Sequence, residues 1–265
     1  MRHYDIAFSI GARCVCSLAL RNANLQFSSF PFDWVAGSTF DRRIRFLTED
    51  FRGWITPEFL VNTVNPQFGV EVLYENRDTG MLFVHDFKKN RDFAEQVAEV
   101  QAKYARRSER LLQKIAAARR VLVVWVDILD ERIGLDAARR GLEALRRKWP
   151  NVAFDFLVFK DTPGVGIDEA QVEETENVRI VRMDYHDPRE QEWVPDHRVL
   201  TQWLKREYTA TDYRTDEDKR TFKRHLADHE YARYAAAGWL DHLVTKYSYK
   251  LYKHLYKRLA RKGII

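Results

Sequence analysis

The sequence predicts an α/β fold: a sheet with parallel central strands flanked by helices, with a β-hairpin insertion and a helical C-terminal extension. Three observations carry this. Strand-like runs alternate with helical stripes from residue 4 to residue 183, the pattern of parallel strands joined by helices. Residues 121–126 (VLVVWV) form a continuous apolar run, as expected of a strand covered on both faces. The stretches FGVEVLY and GMLFVHDF flank the turn-rich ENRDTG, which is a hairpin signal.

Taken in order, residues 4–10 (YDIAFSI) are a short β-rich run ending at Gly11, after which Val15, Leu18 and Ala19 recur at helical spacing. Residues 25–37 are aromatic with Pro31 inside, which predicts a loop packed on the core. A helix over 39–51 follows, with Ser38 or Thr39 as its cap. The hairpin of residues 68–87 is expected as an insertion on the main sheet. Residues 91–118 form the longest helical pattern, with Phe93, Val97, Val100, Tyr104, Leu111, Leu112 and Ile115 on one stripe. The buried strand 121–126 leads to a charged helix over 135–148, then to strands at 153–159 and 178–183. These divide the chain into a core domain, 1–190, and a helical extension, 191–265. The extension has no strand-like run and ends in an amphipathic helix from Trp239 to Ala260.

The 265 residues are enough to bury a core without disulfides or metal. With 45% apolar and 31% charged residues, the composition excludes wholesale disorder and collagen. No run of about 18 apolar residues exists, and the apolar stretch at the N-terminus is too short for a signal-peptide core, so a cytoplasmic protein is expected. The net charge of +5 hides an asymmetry: Lys246, Lys250, Lys253, Lys257, Arg258, Arg261 and Lys262 lie in a tail without acids, which leaves the rest of the chain slightly negative. Nucleic acid is therefore not the expected partner. The basic helix could instead touch an anionic membrane peripherally, although packing on the domain is the simpler use of its stripe.

Two features point to chemistry. The turn from Ser9 through Gly11 to Cys14 puts a thiol in the first turn of a helix, where unpaired N–H groups and the helix dipole favour the thiolate and can later hold an oxyanion. Cys16, rotated about 200° around the helix, faces elsewhere. The second feature is Phe83-Val84-His85-Asp86, where His85 can serve as a general base for the thiol. Adjacent strand residues point to opposite faces, so Asp86 is poorly placed to orient His85, and Asp33 is the better candidate, with Asp196 as the other carboxylate that could orient the ring. Asp196 and His197 lie near Trp193 and Trp203 and could line a pocket with Trp34. A Cys14/Cys16 metal site would lack further ligands at a metal-binding spacing, so no metal and no cofactor are expected.

The blocks FSIGARC, SSFPFDWV, FVHDF, KYARRSERLL, VLVVWVD and EWVPDHRVLTQWL, in this order between about residues 5 and 205, resemble the bacterial DUF1796 family, described as papain-like cysteine peptidases. The resemblance implies a Cys–His site with Cys14 as nucleophile and His85 as base. It also marks Asp33, Arg106, Arg107 and Arg110 as candidate site or scaffold residues. Asp127 stands where the family commonly has arginine. The order Cys before His and a cysteine at a helix start agree with a papain-like enzyme. A nucleophile after the first strand of an α/β sheet equally resembles SGNH-type esterases and cysteine-bearing polysaccharide acyltransferases. The expected activity is thus thiol-dependent hydrolysis or acyl transfer on a small-molecule, glycan or peptide substrate. The alternative is a non-catalytic module for a sugar or nucleotide-linked ligand.

Overall fold

The computed structural model describes residues 1–11, 13–63, 72–89, 91–128, 133–186, 195–217 and 219. The chain begins with strands β1 (Arg2–Tyr4) and β2 (Ile6–Ser9), then helix α1 (Cys14–Asn22). A single strand was expected over 4–10. Asp5 divides it, because its carboxylate turns to accept the backbone N–H groups of Arg119 and Arg120 at 2.8 and 2.9 Å. The aromatic loop closes in a short 3-10 turn (Pro31–Trp34), followed by β3 (Val35–Gly37) and α2 (Phe40–Thr48). Thr39 caps α2 as expected, its hydroxyl accepting from Arg42 N at 3.3 Å.

Next come β4 (Leu60–Thr63), β5 (Leu73–Asn76), β6 (Met81–Phe83), the long helix α3 (Phe93–Ala117) and the buried strand β7 (Arg120–Val126). Helix α4 (Leu135–Lys148), strands β8 (Ala153–Asp161), β9 (Gln171–Glu174) and β10 (Val178–Met183), helix α5 (His197–Glu207) and β11 (Tyr208–Ala210) complete the order.

The main sheet runs β2-β7-β8-β10-β9. Its first four strands are parallel and β9 closes one edge antiparallel. The central position of β7 explains its unbroken apolar run, since consecutive residues face opposite layers. On one face, Leu122, Val124 and Val126 pack with Ala19 and Leu20 of α1 and with Leu200 and Leu204 of α5. On the other, the Trp125 ring meets Phe40 of α2 edge-on at 5.5 Å.

Two expectations are corrected. The hairpin does not join the parallel sheet: β5 and β6 pair with β4 and β3 in a separate antiparallel sheet, ordered β3-β6-β5-β4. The stretch after residue 190 does contain a strand, β11, which pairs in parallel with β1. With α5 packed on α1, the first compact unit extends past residue 190 to Asp212. The second unit, Tyr213–Ile265, falls almost wholly outside the described residues, and with it the expected helix from Trp239 to Ala260.

Candidate active site

Three parts of the fold converge on a cavity of about 350 Å³. The turn after β2 brings Arg13, Cys14, Val15 and Leu18 at the start of α1. The β3–β6 pair, in register with Val35 opposite Phe83, sets Trp34, Val35 and Ala36 beside Val84 and His85. Pro195 and His197 complete the lining from the start of α5. The site thus opens at the carboxyl end of a parallel strand, where open α/β sheets place their ligands.

The turn is held from beneath. The Ser9 hydroxyl accepts from Gly11 N at 3.1 Å. The buried guanidinium of Arg43 on α2 donates to the carbonyls of Ile10, Gly11 and Gly37 at 3.0, 3.4 and 2.5 Å. Arg43 was missed in the sequence. Its signal was its place on the helix: between Phe40, Ile44 and Leu47 it falls on the buried stripe of α2, where an arginine needs internal acceptors.

Cys14 is partly exposed and Cys16 is buried. Burial raises the pKa of the Cys14 thiol, outweighing the nearby backbone N–H groups of Cys14 and Val15 and the charge of Arg13, which favour thiolate. This runs against the depression expected at the helix start. Alkylation of Cys14 by iodoacetamide is therefore expected to be slower at pH 7 than that of a free thiol and to rise on the alkaline side of it. A profile already saturated near pH 6 would contradict this. Cys16 is no competitor, because burial pushes it up to about 12 and its sulfur donates to Val124 O at 3.7 Å.

His85 stands exposed on the segment after β6. Its neighbour Asp86 points away, as expected, and anchors that segment to α3 through Lys103 and the Tyr104 hydroxyl, the latter at 2.9 Å. Among the described residues no carboxylate hydrogen-bonds His85. His197 is a second imidazole on the same cavity, carried by a helix that packs on α1 through Thr201, whose hydroxyl donates to Ala19 O at 3.4 Å.

Residues 5–136 belong to the DUF1796 family. The family is described as "Putative papain-like cysteine peptidase", and the matched segment holds both Cys14 and His85. No curated protein and no solved structure matches the chain.

The other blocks of the DUF1796 resemblance have structural uses here. Asp33 is fully buried and does not line the cavity. One carboxylate oxygen accepts from Arg21 at 3.0 Å, Gln26 at 2.7 Å and Phe30 N at 2.9 Å, tying down the aromatic loop, while burial raises its pKa. An orienting role on His85 is therefore corrected to a loop clamp. Asp33→Asn keeps that accepting oxygen and removes the buried charge, so it should change stability by less than about 1 kcal/mol. Asp33→Ala, which takes the shared acceptor from Arg21, Gln26 and Phe30 N, should cost about 3 kcal/mol. Equal losses for both in urea unfolding would show that the charge itself is needed.

Ser9 and Gly11 are buried beneath the turn and do not line the cavity. Arg106 is exposed, Arg107 lies 5.2 Å over the Tyr104 ring, and Arg110 donates to Ser29 O at 3.1 Å. Asp196 caps α5, accepting from Arg198 N at 2.8 Å. Trp203 belongs to the core, edge-on to Phe159 at 5.2 Å, and Trp193 lies outside the described residues. Asp127 accepts from the Trp125 indole at 2.7 Å and from Ile133 N at 3.2 Å. Among the described residues, no group of three or more His, Cys, Asp or Glu is placed to hold a metal ion, and no helix is long and apolar enough to cross a membrane.

Proposed function

We propose that this chain is a thiol-dependent hydrolase or acyl-transfer enzyme with Cys14 as nucleophile and His85 as proton acceptor and donor. The observation that carries the reading is that Cys14, at the start of α1, and His85, on the segment after β6, line one cavity. A chance packing cysteine has no reason to share an accessible wall with an exposed histidine of the same family segment.

The thiol proton passes to His85 as the sulfur bonds the acyl carbon. The bond from that carbon to the leaving group then breaks as His85 returns the proton to it. Water or a second acceptor takes the acyl group from the thioester. Backbone N–H groups at the start of α1 are the donors offered to the oxyanion.

Activity profiling with a panel of activated esters, thioesters and peptides tests this. Turnover that vanishes in Cys14→Ser supports the reading. Undiminished turnover in that variant, or ligand binding with no turnover across the panel, favours the binding-module alternative.

A further inference from the structure

The cavity has a chemical character that narrows what the thiol can be offered. Its four polar members, Arg13, Cys14, His85 and His197, sit among walls built from Leu18, Trp34, Val35, Ala36, Val84 and others like them. The Trp34 wall is braced from behind. The Arg21 guanidinium lies 5.5 Å over its ring, and Arg21 is itself fixed by the fully buried carboxylate of Asp33 at 3.0 Å and by Ser29 Oγ at 3.0 Å. Leu18 projects from α1 one turn beyond Cys14, on the same side of that helix. A sugar ring placed here would set hydroxyls against Leu18, Val35 and Val84 without hydrogen-bond partners, which is costly. A hydrocarbon chain would instead bury each methylene favourably.

We infer that the group accepted by this site is the acyl part of a hydrophobic carboxylic acid, presented as an ester or thioester, with its chain or ring against Trp34 and Leu18 and its carbonyl carbon at Cys14. This rests on the reading of Cys14 as acyl acceptor and adds the substrate class. The volume suits an acyl group of modest size, since ligand pockets for whole drug-sized molecules begin at roughly 300 Å³.

The test uses full-length protein and a series of N-alkylmaleimides (methyl, ethyl, butyl, hexyl). The rate of Cys14 modification is followed by mass spectrometry and divided by the rate with glutathione. Because Cys16 is buried, the signal reports Cys14. The relative rate should climb about threefold to fourfold per added methylene until the cavity is filled. Trp34→Ala should flatten that gradient. So should Leu18→Ala, which keeps a strong helix former in α1 and guards against a folding failure of the first variant.

A flat or falling series overturns the inference, as does a gradient that survives unchanged in both variants. Failure of the underlying enzyme reading looks different: ester turnover then persists in Cys14→Ser while the alkylation gradient stands. Absence of Cys14 labelling at every chain length overturns both.

Discussion

Arg43→Met should lower the free energy of unfolding by about 3–5 kcal/mol, because three carbonyls, two buried and one half-buried, lose their donor at once and each unsatisfied buried acceptor costs about 1–3 kcal/mol. The guanidinium bridges Ile10 and Gly11, at the end of β2, to Gly37 in β3 and lies 5.6 and 5.9 Å over the rings of Phe32 and Trp125. It is thus the joint between the parallel sheet that carries Cys14 and the antiparallel sheet that carries His85. Methionine preserves most of the volume, so the loss reads the hydrogen bonds more than a cavity. Arg43→Lys keeps the charge but cannot reach three carbonyls, and should fall between the two. A urea midpoint for Arg43→Met within error of the parent would mean that the carbonyls find other donors and that Arg43 is not the joint.

Gly11→Ala should damage both stability and activity. A Cβ at this position would meet Val126 N at 2.8 Å and Trp125 Cα at 3.0 Å. Both are backbone atoms of β7, held between β2 and β8, which cannot yield without moving the sheet, so the turn must lift instead. The expected cost is about 1–3 kcal/mol in stability. A shift of about 1 Å in Cys14 would lower turnover of an acyl substrate by about 10²-fold. Gly134→Ala is the matched control, since a Cβ there meets nothing within 4 Å. If Gly11→Ala melts and turns over like Gly134→Ala, the close approach of turn and strand has been misjudged.

What the sequence revealed divides along physical lines. Elements with strong local signals were legible: the apolar run of β7, the Thr39 cap, the hairpin around residues 75–80 and the stripe of α3. The β1–β11 pair was not, because three-residue strands joined in parallel across almost the whole first unit leave no local periodicity. Nor was the separation of the hairpin into its own sheet, since β3 and β4 are too short to alternate visibly.

At the site, Cys14, His85, Trp34 and His197 were legible and do share one cavity. Residue type misled where burial decided the role. Asp33 and Ser9 look like catalytic chemistry in a string of letters, but they serve as internal acceptors. Arg43 was not singled out among the basic residues of α2, though it falls on the buried stripe of that helix. The Cys14 thiol shows the same conflict in energetic form: helix-start donors favour its charge, burial opposes it, and burial wins.

The central claim is that Cys14 and His85 act as one nucleophile–base unit. Rapid mixing with an activated ester followed by acid quench and mass spectrometry tests it most directly. The account predicts a transient acyl adduct on the peptide carrying Cys14, formed about 10²–10⁴ times more slowly in His85→Asn. Acylation elsewhere, or a Cys14 adduct that forms equally fast in His85→Asn, would contradict it.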